Sequence, residues 1–291
     1  MKSKDFQCSC QNLNGNIVLS GNGNKIVVFI LQKINMIRKV LFSTLMFLFL
    51  LISCKTENKE QQTWRTKKWV LENQVHNQLS DFEKEQGWTL LFDGESLNGW
   101  HLYNKPDSTK FSAWEVRNGN IFCDATDENK VFGDLVTDKE YENYELVFDW
   151  QMALRGNGGV FMNVQESPEY NATYRTGLEY QLLEPSHSDT KTPLKRPGCL
   201  WGVSPQVNIV EANITGQWNK ARIVQQDGKI EFYLNGKMTA MEDLMSSDWK
   251  EKIADSNFKD NDSFGKVAKG KIALQNWYFE SWFRNMKIRE L

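Results

Sequence analysis

The chain has 291 residues, a formal net charge of −2, 25% charged residues and 40% apolar residues. That balance lacks the basic excess of a nucleic-acid binder and the acidic excess of a solvating tail, and its apolar content suffices for a core. The length fits one large all-β domain or two smaller ones. All eleven Trp follow Cys54; Trp serves cores and sugar-stacking platforms equally well.

The chain opens on a polar stretch, residues 1–35. Met36-Ile37-Arg38-Lys39 is then a short cationic start, followed by an apolar run of thirteen residues, Val40 to Ile52. The run is too short to span a bilayer comfortably and fits a signal-peptide core. It ends in Leu51-Ile52-Ser53-Cys54, the pattern of a bacterial lipobox, in which the Cys becomes the lipidated first residue. The expectation is an exported protein, lipid-anchored to the bacterial cell envelope through Cys54, with Met36 as the conventional start. Residues 1–53 are the export segment. Residues 54–81 read as a polar tether with one helical stretch around Trp69 to Gln78. The folded domain is expected over 82–291.

From Gly87 onward, short apolar or alternating runs are separated by turn dipeptides. Trp88 to Phe92 is a buried-type run. Trp114 to Arg117, Asn118-Gly119 and Asn120 to Cys123 read as a two-residue hairpin, because Asn-Gly tolerates the positive φ angles of a type I′ turn. Tyr144, Leu146, Phe148 and Trp150 share one face and should meet the core. Val160 to Val164, Leu178 to Leu183 and Ala221 to Gln225 follow. Asp227-Gly228 turns into Lys229 to Leu234, which ends at Asn235-Gly236. Met241 to Ala254 offers a helix, and Lys271 to Gln275 and Trp282 to Ile288 close the chain. Strands without a βαβ rhythm predict an antiparallel β-sandwich. Of the five Cys, only Cys123 and Cys199 fall in this region, too few for a disulfide framework or a zinc site; two buried thiols are expected rather than one disulfide.

Gly87-Trp88-Thr89-Leu90-Leu91-Phe92-Asp93-Gly94, followed by Leu97-Asn98-Gly99-Trp100, resembles the opening of the 3-keto-disaccharide hydrolase family. The likeness continues in Gly156-Asn157-Gly158-Gly159-Val160-Phe161, in Gly177 to Leu183, in His187-Ser188-Asp189, in Trp218-Asn219 and Leu234-Asn235-Gly236, and in Trp282 to Ile288. It spans about residues 80–291. It implies a concanavalin A-like jelly roll and action on glycosides already oxidised at carbon 3. One departure stands out: members often carry Leu-Gln-Asp-His where this chain has Leu274-Gln275-Asn276-Trp277. If that His is essential elsewhere, this chain uses another residue, takes another substrate, or only binds.

A 3-keto group acidifies the proton on carbon 2, so that a base can remove it and the group on carbon 1 can leave. Such a site needs a base, donors for the enolate oxygen and an acid for the leaving group. Glu179 and Gln181 share one face of a strand whose other face carries Tyr180 and Leu182; they are read as catalytic, or else as a solvated outer face. His187, with Asp189 two residues on, is read as a base working near neutral pH, or as an ordinary loop His. Arg155 and Asn157 flank a glycine turn and could reach a sugar hydroxyl, or merely stabilise the loop. Lys195 and Arg196 are a substrate clamp or a solvated loop. Arg284 could pair with Glu179. Trp201 and Trp277 are the Trp nearest the motif loops and the candidate stacking platforms, with core packing as the alternative. No Gly-x-Ser-x-Gly elbow, His-Glu-x-x-His helix or P-loop is present, and Glu145 to Asp149 has the wrong spacing for a retaining endoglucanase strand. Loop carboxylates could hold Ca²⁺, but no calcium-loop spacing is visible, and no metal or cofactor is expected. The competing reading is a non-catalytic carbohydrate-binding surface lipoprotein; an adhesion or scaffold domain is weaker, since it leaves the Glu179 face without a purpose.

Overall fold

The computed structural model describes residues 75–105 and 112–291. The export segment, Cys54 and nearly all of the tether lie outside the described residues. No helix among the described residues is long and apolar enough to cross a membrane.

Two antiparallel sheets stack into a sandwich of jelly-roll type. One runs in the order β11 (Lys237–Asp243), β10 (Lys229–Leu234), β9 (Asn219–Gln226), β6 (Tyr144–Met152), β13 (Ser281–Glu290), β4 (Asn120–Cys123), β3 (Trp114–Arg117), with β1 (Thr89–Leu90) also on β13. The other runs β2 (Trp100–Leu102), β5 (Leu135–Thr137), β12 (Lys271–Leu274), β7 (Asn157–Val164), β8 (Leu178–Leu183). Asn118-Gly119, Asp227-Gly228 and Asn235-Gly236 all have φ between +49° and +83° at both positions. These are the type I′ geometries that make a two-residue turn match the twist of its strands.

The core is built by strand alternation. Tyr144, Leu146, Phe148 and Trp150 of β6 point inward and are at most 1% exposed. Tyr180 of β8 meets them: its ring lies edge-on to Phe148 at 6.1 Å and to Phe232 at 5.1 Å. Its hydroxyl donates to the Tyr233 carbonyl at 3.0 Å. Each such buried ring contributes about 1.5–3 kcal/mol. Cys123 and Cys199 are both buried free thiols.

Three local expectations change. Met241 to Asp243 belong to β11, and the helix (α2, Ser247–Ala254) starts only after Ser246, whose side chain accepts the Trp249 N–H. The run has helix-forming residues, but pairing with β10 buries Ala240 and Glu242, and tertiary context overrides a weak propensity. Strands β2 and β5, three residues each, are too short to show a period. Finally, Asn77, assigned to the tether, is 6% exposed and bonded into the fold. Its backbone N–H donates to Asn285 Oδ1 at 2.8 Å and its amide to the Gly119 carbonyl at 2.7 Å, ahead of the short helix α1 (Asp81–Glu85).

Candidate active site

Strand β8 has its apolar residues Leu178, Tyr180 and Leu182 in the inter-sheet core. Glu179 and Gln181 therefore stand on the outer face of the five-stranded sheet, as the alternation predicts. In the register of that face, His101, Val136, Ala273, Phe161 and Glu179 form one row across all five strands. The free edge of β8 is capped by the following loop, whose Trp201 N–H donates to the Glu179 carbonyl at 3.1 Å.

Loops raise walls around this end of the face. They enclose a cavity of about 530 Å³, lined by Asn157, Glu179, Gln181, Asp189, Lys195, Trp201 and Trp277. Tyr174, Arg175, Asn257, Phe258, Asn261 and Gln275 complete the lining. The volume lies within the range of small-molecule sites. Trp201 is braced edge-on against Phe258 at 5.9 Å, and Phe258 stacks on Phe264 at 3.7 Å.

Glu179 is 8% exposed, and among the described residues no Lys or Arg forms an ion pair with it. Burial, and then the negative charge of Asp134, hold its carboxyl well above the ordinary Glu range. Room for it is made by glycine: a Cβ on Gly159, which pairs with Gln181 on β7 and so lies diagonal to Glu179 on the same face, would collide with the Glu179 carboxylate. Gln181 is held by its amide, which donates to Asn157 Oδ1 at 2.8 Å, the Gly158 carbonyl at 3.0 Å and the Leu182 carbonyl at 2.8 Å. The glycine-rich segment thus receives both side chains of β8.

Asp134, just before β5, escaped the sequence reading. Burial pushes its carboxyl up to about 6, against the hydrogen bonds that lower it. Those bonds come from the Thr173 hydroxyl and from the Asn276 backbone N–H at 2.8 Å. Thr173 and Asn276 adjoin Tyr174 and Trp277, so Asp134 ties together two loops that line the cavity. Asn276 is 1% exposed and both atoms of its amide lack a partner, an arrangement that costs about 1–3 kcal/mol.

The structure brings Glu179, Gln181, Asn157, Asp189, Trp201 and Trp277 together around the cavity, and leaves His187, Arg155 and Arg196 outside its lining. His187 caps a 3₁₀ turn, Ser188–Lys191, accepting the Asp189 N–H at 3.1 Å, and lies edge-on to Phe279. Its neighbour Asp189 faces the cavity paired with Lys195 at 3.3 Å. Arg155 occupies a left-handed turn, φ +59°, with its backbone N–H on Glu184 at 3.0 Å and its side chain exposed. Arg196 donates to the Thr190 carbonyl and lines a separate depression with Gln206 and Pro197. Arg284 pairs with Asp149 at 3.5 Å and covers the Trp218 ring, on the other sheet from Glu179. The alternation of β8 made Glu179 and Gln181 legible; Tyr174, Arg175, Asn257 and Asn261 come from loops with no periodicity to place them. No group of three or more His, Cys, Asp or Glu among the described residues is arranged to hold a metal ion.

Residues 87–289 match the model of a family described as the 3-keto-alpha-glucoside-1,2-lyase-like domain. A 3-keto-disaccharide hydrolase of Bacteroides thetaiotaomicron is 26% identical over 231 residues, which span 70% of this chain and 79% of that protein. A solved structure of a candidate glycosyl hydrolase from Parabacteroides distasonis is 31% identical, with a TM-score of 0.67, over 75% of this chain and 100% of that one. A second structure from the same organism shares the fold at 24% identity and a TM-score of 0.57, over 70% of this chain and 99% of that one.

Proposed function

The chain belongs to the 3-keto-alpha-glucoside-1,2-lyase-like domain family and is a glycoside-cleaving enzyme; we propose that its substrates are 3-keto-glycosides, cleaved by elimination across carbons 1 and 2. The observation that carries the reading is Glu179, a buried carboxyl at the wall of a substrate-sized cavity, without a cation and held well above its ordinary range. A carboxyl raised above its ordinary range is a stronger base than a free Glu once ionised, which suits the task of a general base.

In this reading the keto sugar lies against the outer face of β8. Glu179 takes the proton from carbon 2, and the electron pair moves into the carbon 3 carbonyl as an enolate. The enolate re-forms the ketone as the double bond between carbons 1 and 2 is made and the carbon 1–oxygen bond breaks. Glu179, now carrying the proton, returns it to the departing oxygen. The products are an alcohol and an unsaturated 3-keto sugar. Addition of water across the new double bond, hydroxyl to carbon 1 and hydrogen to carbon 2, makes the net reaction a hydrolysis. Lys195 and Arg175 bring positive charge to the cavity, and Asn157, whose Oδ1 is fixed by the Gln181 amide, brings an NH₂ donor, the kinds of group that stabilise a developing enolate oxygen. His187 is not needed, since one carboxyl performs both proton transfers.

The purified enzyme should release the aglycone from a 3-keto-glucoside and leave the corresponding unoxidised glucoside intact. Binding of the 3-keto-glucoside without release would contradict the proposal and favour a carbohydrate-binding module. The lipobox at Leu51 to Cys54 supports anchoring to the cell envelope. Cys54→Ser should abolish labelling by a fatty-acid probe; unchanged labelling would contradict the anchor.

A further inference from the structure

Three exposed aromatic rings adjoin one another at the cavity lining. Trp277 lines the cavity and is 45% exposed. Its ring lies edge-on to Tyr278 at 5.8 Å, and Tyr278 in turn packs on Phe132 at 5.0 Å with an interplanar angle of 31°. Tyr278 is 64% exposed and Phe132 47%. The rings form one contiguous strip that joins the cavity lining at Trp277. Single exposed apolar residues need no explanation, but a contiguous exposed strip joined to a pocket marks a binding surface.

Two further features show that the strip is held in place. Tyr278 has a φ of +58°, a left-handed backbone that a bulky residue adopts only against strain, and strain of this kind concentrates at functional sites. The two loops that carry the rings are also fastened to one another. Asp134, two residues beyond Phe132, accepts the backbone N–H of Asn276, the residue before Trp277.

We propose that Phe132, Tyr278 and Trp277 form a platform for an aromatic leaving group, so that the substrates include 3-keto-glucosides of phenols. This rests on the elimination reading above, which puts the keto sugar against Glu179, and adds to it that the group on carbon 1 is directed toward Trp277 in the cavity lining. The chemistry of the strip selects the occupant. A second sugar requires hydrogen-bond partners for its hydroxyls beside any stacking ring. Three adjoining rings offer only the Tyr278 hydroxyl and the Trp277 indole N–H, whereas an aryl ring needs only aromatic faces and edges, which they supply in tilted geometry.

The test uses Phe132→Ala and Tyr278→Asn, singly and together; Asn tolerates the left-handed backbone, and neither residue lines the cavity. Each variant is compared with the wild type on phenyl and methyl 3-keto-glucosides of one anomeric form, and on a 3-keto-disaccharide. Comparing variants on one substrate at a time removes the intrinsic difference between leaving groups. The double variant should lose about tenfold in kcat/KM on the phenyl substrate and stay within about twofold on the other two. Equal losses on all three, or a loss confined to the disaccharide, would overturn the platform. A titration of Trp fluorescence with unoxidised phenyl and methyl glucosides reads the strip apart from the chemistry. The phenyl compound should bind the wild type more tightly and lose that advantage in the double variant. If it does so while no 3-keto-glucoside is turned over, the elimination reading fails and the aromatic platform stands. If phenyl and methyl glucosides bind alike, the platform fails whatever the enzyme turns over.

Discussion

Two glutamates on neighbouring layers of the sandwich show what this fold does with a buried carboxyl. Glu145, on β6, is 7% exposed, and Glu179, on β8, is 8% exposed. Both face away from the inter-sheet core. Glu145 is gripped by Arg222 Nε at 2.5 Å and by Arg289 at 2.6 Å. Burial pushes its pKa up, but the hydrogen bonds and charges of the two guanidinium groups win, and the net direction is down. Glu179 lies deeper in the protein, with no such partner and with Asp134 as its electrostatic neighbour, so burial first and that charge second push its carboxyl up. Similar exposure with opposite outcome means that depth and neighbours together decide the role: the deeper carboxyl without a cation goes up, and the shallower one between two guanidinium groups goes down. One carboxyl is locked as a structural anion, and the other is left able to exchange a proton.

The largest effect should come from removing the exchangeable proton. Glu179→Gln keeps the shape and should cost on the order of 10²-fold or more in kcat/KM on a 3-keto-glucoside. It should also raise the melting temperature, as sites kept for function often oppose stability. The sign follows from linkage. The folded-state pKa of Glu179 lies above its unfolded value, so the wild type bears no penalty below the unfolded value. The penalty grows as the pH rises toward the folded value. The stabilisation by Glu179→Gln should therefore be larger at pH 8 than at pH 4, measured by thermal unfolding. A gain that shrinks with rising pH would break the contrast with Glu145.

Next in size is Gly159→Ala, whose methyl group enters the space of the Glu179 carboxylate. A loss of about tenfold or more in kcat/KM is expected, because small misplacements of a catalytic group are costly. Glu145→Gln should invert the pattern, lowering stability by about 1–2 kcal/mol in urea unfolding while leaving turnover within about threefold. The finest effect belongs to Asp134→Asn. It removes the negative charge that raises Glu179, so the acid limb of the kcat/KM profile should move to lower pH. An unmoved or upward-shifted limb would separate the two carboxyls.

Much of this contrast could be read from the chain. The alternation in Leu178 to Leu183 placed Glu179 and Gln181 on the face opposite Tyr180, and Asn-Gly and Asp-Gly dipeptides located the hairpins that carry β9, β10 and β11. Period and turn chemistry are local, so they survive in sequence. Partnership is not local: alternation puts Glu145 on the face of β6 away from Tyr144 and Leu146, but nothing in the chain shows that Arg222 and Arg289 close on it from two other strands. Arg284 was matched with Glu179 and belongs to Asp149 for the same reason. His187, with Asp189 two residues on, has the spacing of a His–carboxylate pair, yet its ring serves a local turn. Asp134 had no signal at all, since its importance lies in joining Thr173 and Asn276, which are far apart in the chain.

The central claim, that Glu179 moves the carbon 2 proton, is tested most directly by the fate of that hydrogen. A 3-keto-glucoside deuterated at carbon 2 should lose its label to water only as fast as active enzyme permits. With wild-type protein, label loss should accompany aglycone release; with folded Glu179→Gln, both should fall together by on the order of 10²-fold or more. Release of the aglycone with the carbon 2 deuterium retained, or label loss at the wild-type rate in Glu179→Gln, would contradict the account.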